Sequence, residues 1–334
     1  MVLLAAAAIP GALLIARLGA RRALLAGLLA IAGGSTLRGV GPTLPVLFAA
    51  TLVMGIGVAV SQPALPTLAN HWFPLRVAFA TAGYSNGMLV GETVPASLTG
   101  PLVLPAIGGS WPLSFALWSL PVLLGVALLG RLTRQPAPEE GLPQRWWPDF
   151  RNPRLWQLGM VMGCASAAYF GTNAFIPDYV LATGRPQFKD AALAAINISQ
   201  LPAPLLILVL PRGIVVRRLP LIAASLAVMA GVAMIVLTPG AWIVVWAGLI
   251  GFIAALAFVL TLRLTPLLAE PGDVHRFSAG IFLIMYTFSF TAPLVAGAAW
   301  DATRVPAAAF LTLAAIGLLV TGLAASLGLR QARD

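Results

Sequence analysis

Residues 84–99 read YSNGMLVGETVPASLT, and Glu92 stands in that run with no lysine or arginine beside it. An acidic side chain at mid-membrane costs about 2.5–3.5 kcal/mol on insertion scales. An acid there that meets each side of the membrane in turn is a proton-coupling group. The structural alternative is a protonated glutamate hydrogen-bonded to a neighbouring helix. Gly83, Gly87 and Gly91 recur at intervals of four, a small-xxx-small seam that lets two helices approach closely. Glu92 lies about 100° around the helix from that seam. Ser85, Glu92 and Thr99 are seven apart and share one stripe. Glu92 is therefore expected to face the protein interior or a wet cavity.

Other polar residues come in helical pairs. Tyr169 and Asn173 are four apart, Asn197 and Gln200 three apart just before Pro202 and Pro204, and Tyr286 and Ser289 three apart. Each pair shares a helix face, and polar faces are not placed against lipid. These are substrate-binding candidates, or interhelical hydrogen bonds of about 0.6 kcal/mol each. The two prolines free backbone carbonyls that serve either a substrate or a kink. Arg263, in FVLTLRLTPLL, could grip an anionic solute by a two-pronged contact or snorkel to the inner headgroups. Asp178 is expected at the outer mouth.

Several chemistries are missing. Lys189 is the one lysine and follows Phe188, so there is no phosphate-binding loop ending in G-K-[ST]. One cysteine, Cys164, and two histidines, His71 and His275, give no metal site of ordinary spacing. No enzyme activity, metal or cofactor is expected.

The elements that must position these residues can be read from composition. Hydrophobic residues make up 60% of the 334, and charged residues only 9%. A soluble domain needs about a quarter charged. Apolar runs long enough for the ~30 Å hydrocarbon core recur near 1–17, 22–40, 43–68, 77–104, 110–131, 156–181, 191–211, 219–238, 241–266, 277–300 and 305–328. The pattern predicts an all-α, polytopic membrane protein of about eleven spans. The longest polar gap divides it into a first bundle over 1–133, a cytoplasmic linker over 134–155 and a second bundle over 156–334. In the linker Trp146 and Trp147 are expected at the headgroups.

The net charge of +10 reads as topology and not as nucleic-acid binding. Alternate loops carry Arg17, Arg21 and Arg22; Arg76; Arg131, Arg134, Arg145, Arg151 and Arg154; Arg212, Arg217 and Arg218; Arg263 and Arg276; and the tail Arg330 and Arg333. The other face receives only Arg38, Arg185, Lys189 and Arg304. Positive charge stays inside, so the C-terminus is expected in the cytoplasm of a plasma (inner) membrane. The first helix then starts outside, with its arginines after it, like a second helix that has lost its first. The halves also echo each other. Arg21-Arg22 and Arg217-Arg218 follow apolar helices at one interval, which Gly55 and Gly251 repeat. Two such halves with a midplane site between them are a common plan of secondary transporters.

ALLIARLGARR over 12–22 resembles the loop after the second helix of the major facilitator superfamily. Arg17, Gly19, Arg21 and Arg22 match this gating-loop motif, while Ala16 stands where the motif has an acid. GIGVAVSQPALPTLANHWFPLRVAFATAGYS (55–85), GSWPLSFALWSLP (109–121) and FSAGIFLIMYTFSFTAPLVAGAAWDAT (277–303) resemble the cyanate permease and 2-nitroimidazole transporter branch. The resemblance implies two six-helix bundles, here short of the first helix. Helices 1, 4, 7 and 10 of that fold would line the cavity, and 2, 5, 8 and 11 would form the interface between halves. It implies alternating-access transport of a small solute, organic or inorganic, with an anion and proton coupling as candidates, by a monomer in the lipid bilayer. The rival expectation is a truncated or decayed transporter acting as a non-transporting membrane protein.

Overall fold

The computed structural model describes residues 1–41, 43–133, 146–209, 219–270 and 272–331. Arg134, Arg145, Arg212, Arg217, Arg218 and Arg333 lie outside them, as does most of the expected linker.

The described chain is helical: α1 (Val2–Leu18), α2 (Ala20–Val40), α3 (Leu44–Trp72), α4 (Val77–Leu98), α5 (Trp111–Leu132), α6 (Pro153–Ala182), α7 (Lys189–Ile198), α8 (Ala203–Val209), α9 (Leu219–Leu237), α10 (Trp242–Leu268), α11 (Val274–Thr303) and α12 (Ala307–Gln331). Seven of these, α2, α3, α5 and α9 to α12, are long and apolar enough to cross a membrane. The α4 and α6 helices are long enough but not apolar enough, and α7 and α8 are two short pieces separated by Ser199–Pro202. The α1 helix is apolar but one residue short of the spanning length, and the other elements that fall short carry Glu92, Tyr169, Asn173 and Asn197, with Gln200 in the turn between α7 and α8.

Local chemistry sets the boundaries. Gly19, at φ +81, parts α1 from α2, a backbone state that only glycine adopts without strain. Pro112 begins α5 and Ser110 accepts a hydrogen bond from Leu113 N at 3.4 Å. Pro153 begins α6 and Asn152 Oδ1 accepts from Arg154 N at 3.0 Å. A side-chain cap with proline at the first turn marks a helix start. Past Pro95, α4 runs on through a π turn over Thr99–Val103.

Two bundles result. In the first, α1 and α2 pack along α3, and α5 packs along α2. In the second, α6 is wrapped by α10, α11 and α12, while α10 packs on α7 and α9. The bundles meet through α1 against α11, α4 against α8, and α3 against α11. The interval that pairs Gly55 with Gly251 has a structural counterpart. A Cβ on Gly55 would meet Leu3 of α1, and one on Gly251 would meet the Ile196 carbonyl of α7 and Ser199 Oγ. Each glycine thus admits a neighbouring element of its own bundle.

The glycine seam of α4 is a correction. Nothing lies within 4 Å of a Cβ built on Gly83, Gly87 or Gly91. The α4 helix packs on α3, α8 and α10 through its other faces, so the stripe meets no described helix. Of the Ser85–Glu92–Thr99 stripe, Ser85 and Glu92 line the central cavity, while Thr99, at the start of the π turn, accepts from Trp118 Nε1 of α5 at 2.9 Å.

Expected outcome: Gly251→Val forces a branched side chain into the α7 backbone, and overpacking of this kind costs about 1–3 kcal/mol. Gly87→Ala meets open space and leaves stability within about 1 kcal/mol of wild type. Unfolding of the detergent-solubilised protein, followed by circular dichroism, ranks the two.

Candidate functional site

A cavity of about 160 Å³ lies between the two bundles. From the first bundle α3 contributes Gln62 and α4 contributes Ser85, Met88, Leu89 and Glu92. From the second, α6 contributes Ser166, Tyr169 and Phe170, the α7–α8 turn Gln200, α10 Ala254, Ala255, Phe258 and Val259, and α11 Met285 and Tyr286. Tyr169 stands about 24 Å along α6, near its middle, at 1.5 Å per residue. Measured against the expected lining, the counterparts of helices 4, 7 and 10 are joined here by those of 5, 8 and 11.

Tyr169 is the hub of a polar cluster. Its Oη lies 2.6 Å from Asn197 Oδ1 and 3.1 Å from Glu92 Oε1, and it accepts from Gln200 Nε2 at 3.0 Å. Asn197 Nδ2 donates to Asn173 Oδ1 at 3.0 Å and to Leu193 O at 2.7 Å, and Asn173 Nδ2 donates to Tyr169 O at 3.0 Å. The residues expected as separate pairs on two helices thus form one network.

The proton count in that network is informative. A phenol carries one proton, and two acceptor oxygens face Tyr169 Oη. The 2.6 Å contact to Asn197 is typical of O–H···O bonding and takes the phenol proton. The contact to Glu92 is then a hydrogen bond only if Glu92 supplies the proton itself. When Glu92 is ionised, the phenol proton can serve Glu92 or Asn197, not both.

A second contact also crosses between bundles: Tyr286 Oη on α11 donates to Gln62 Oε1 on α3. Gln62 escaped the sequence reading, although it is a lone amide in the apolar stretch VAVSQPALP, beside Pro63. Ser166, Phe170 and Phe258 were missed as well, because nothing in their neighbours distinguishes them from core residues. Ser85 lines the cavity at 1% exposure, and its Oγ has no hydrogen-bond partner among the described residues.

The other candidates lie elsewhere. Arg263 is buried at 8% exposure, so it does not snorkel. It stands one turn beyond Val259 and is not on the cavity lining. Ser289 is buried and donates back to Met285 O. Arg21 joins α2 to the end of α5 through Thr133 Oγ1 at 2.9 Å and Gly130 O at 2.8 Å, while Arg17 and Arg22 are exposed. Asp178 is exposed near the end of α6, and Trp146 packs edge-on against Trp147. The run Gly83-Tyr84-Ser85-Asn86-Gly87 has the G-x-S-x-G spelling of a nucleophile elbow. That motif needs a strand-to-helix turn, and here it lies inside the continuous helix α4.

Burial gives the cavity a direction. Thr261, Leu264 and Thr265 on α10, Phe277, Ser278 and Ile281 on α11, and Thr67 and Leu68 on α3 are all nearly inaccessible. All lie on the side of the cavity that carries Arg76 and Arg276. The lining is therefore floored toward the arginine-bearing face.

Comparison with known proteins bears on this arrangement. The Major Facilitator Superfamily profile matches residues 1–292. The cyanate transport protein CynX of Escherichia coli is 26% identical over 286 residues, spanning 83% of this chain and 73% of that protein. The 2-nitroimidazole transporter of the same organism is 28% identical over 181 residues, 53% of this chain and 45% of that one. Two solved structures share the fold at 16% identity. The human organic anion transporter MFSD10 has a TM-score of 0.77, covering 97% of this chain and 81% of that one. The E. coli fucose:proton symporter FucP has a TM-score of 0.67, covering 96% and 87%.

Expected outcome: Tyr169→Phe destabilises the protein more than Tyr286→Phe. The first strips a partner from Glu92, Asn197 and Gln200 together, the second from Gln62 alone. A buried polar group left without a partner costs about 1–3 kcal/mol, and denaturant unfolding of both variants in one detergent measures the difference.

Proposed function

We propose, from the premise that this chain belongs to the Major Facilitator Superfamily, that it carries a small solute across the membrane by alternating access, coupled to protons through Glu92. It is a transporter and not an enzyme. In this reading the halves 1–133 and 156–334 rock about the central cavity, joined by the 134–155 segment on the cytoplasmic side of an inner membrane. The arginine-rich loops and the C-terminus lie on that side, and the unit is a monomer.

The observation that carries the reading is the cavity between the bundles, with a polar cluster in its wall and hydrogen bonds running from one bundle to the other. Tyr169 to Glu92 and Tyr286 to Gln62 both cross that boundary. Rocking of the halves must break or remake them. A solute that replaces those partners changes the relative free energies of the two arrangements, which is what a ligand needs to shift an equilibrium.

Glu92 adds the proton. Protonated, it donates to Tyr169 while Tyr169 serves Asn197, so the bond between the halves and the bonds within the second half coexist. Ionised, it competes with Asn197 for one phenol proton. The proton thus favours the arrangement in which α4 and α6 are joined. Size supports a small cargo, since a cavity of about 150 Å³ takes one benzene ring and this one is about 160 Å³. The relatives named for cyanate and 2-nitroimidazole are named for solutes on that scale.

The test is solute-driven proton flux. The protein is reconstituted in liposomes enclosing a pH-sensitive dye and challenged with small organic cations, neutral heterocycles and small anions. Flux with any one class is the expected result, and Glu92→Gln lowers it at least tenfold. Flux that survives Glu92→Gln unchanged overturns the coupling role. Absence of flux with every class overturns proton-coupled transport, and radiolabelled solute uptake by the same liposomes then separates an uncoupled carrier from the rival, a membrane protein that does not transport.

A further inference from the structure

The chemistry of the cavity wall selects among those solutes. Glu92 is the one charged side chain on the described lining. The other titratable groups facing it are phenols, Tyr169 from α6 and Tyr286 from α11. Gln62 from α3 and Gln200 from the α7–α8 turn are neutral amides. The α10 wall is apolar, with Arg263 one turn beyond it, buried and already engaged in contacts of its own. The α8 segment APLLILV has no titratable side chain. An anion brought here would meet a carboxylate and no cation on the lining.

The apolar lining is suited to the opposite charge. Phe170, Phe258, Tyr169 and Tyr286 give the lining that carries the carboxylate its aromatic surface, and Met88 and Met285 add to its apolar part. Aromatic faces attract organic cations, and a carboxylate attracts a cation directly by charge. A second feature awaits a ligand: Ser85 Oγ, buried and on the lining, has no partner among the described residues, and buried hydroxyls are as a rule hydrogen-bonded.

We infer that the cavity takes a small, single-ring organic cation, held by the Glu92 carboxylate and the surrounding aromatic faces, and that the cation and a proton occupy that carboxylate in turn, one for one. This rests on the transport reading above and names its solute class. The balance is simple. One monovalent cation enters as one proton leaves, so no net charge crosses the membrane in a cycle. Glu92 is exposed in this arrangement; an empty, ionised Glu92 enclosed by closure of the halves would be a charge without a counter-charge, which is strongly disfavoured. Only the protonated and the cation-loaded forms pass, and exchange is obligatory.

Two probes of similar size and fixed charge at neutral pH test this: phenyltrimethylammonium and benzoate. In weakly buffered detergent solution, phenyltrimethylammonium is expected to release up to one proton per wild-type protein, and benzoate none. Its affinity is expected to fall about tenfold per pH unit on acidification once the proton competes for the same carboxylate. In liposomes the flux it drives follows the pH gradient and is unchanged when valinomycin and potassium clamp the membrane potential. Glu92→Gln abolishes proton release, and because the charge comparison is made on wild type, misfolding of that variant does not remove the test. Benzoate binding in place of the cation, binding of neither, or flux that tracks the potential overturns the inference. Flux driven by benzoate would leave the transport reading standing and remove only the cation, whereas silence from every solute class in the dye assay removes both.

Discussion

The hydrocarbon core holds no water, so each polar group carried to that depth must find its partner within the protein. This constraint orders the centre of the molecule. Glu92, Tyr169, Asn173, Asn197 and Gln200 come from α4, α6, α7 and the turn after it, yet they meet at one place. Separately, each would face lipid or an apolar core. Their meeting point is the boundary between bundles, where packing is already interrupted and a cavity remains. The price is helix apolarity: α4, α6 and α7, which supply the cluster, do not read as simple spans.

Most of the fold was legible because membrane folds are written in run length and loop charge. The expected segments fall within a few residues of the observed helices, and 191–211, with its two prolines, is divided at Ser199–Pro202. The helical pairs were also legible, because spacing of three or four puts residues on one face. Which faces turn toward which could not be read. That depends on helix rotation, and two features of α4 upset it. The glycine seam reads as a packing surface but meets open space, and Thr99, two turns along from Glu92, reaches Trp118 of α5 and not the cavity. Gln62 was hidden for another reason: one amide in an apolar helix has no partner in sequence, and Tyr286 lies far along the chain in the other bundle. Arg263 could not be placed from sequence because a position near a helix end suggests headgroups, whereas the Thr261–Thr265 stretch of α10 is buried in the protein.

The two bundles are built unequally, and the difference falls on the helices that carry the site. In the second bundle α6 is enclosed along its length, from Leu155 to Val180, in one continuous core. Gly159 and Gly163 bring it close to Ile284 and Phe288 of α11. In the first bundle the core is a small cluster around Ile15, Leu24, Val60 and Leu68. The α5 helix buries only Ser114 and Ser119, whereas α11 buries a face running from Val274 to Ala296.

That inequality bears on how a proton at one oxygen can matter to the whole. A hydrogen bond contributes only about 0.5–1.5 kcal/mol net, too little to displace a helix locked in a close-packed core. It is comparable to the differences that decide the position of a helix held by few neighbours. Tyr169 belongs to the locked side: its backbone is fixed by α6, and its hydroxyl by Asn197 and Gln200. Glu92 belongs to the loosely held side, on a helix with an uncovered glycine stripe and a π turn beyond Pro95. Moving the proton therefore changes a contact between a fixed point and a helix with few competing contacts. The same bond placed between α6 and α11 would be one small term among many packing contacts, and its loss would be absorbed in place.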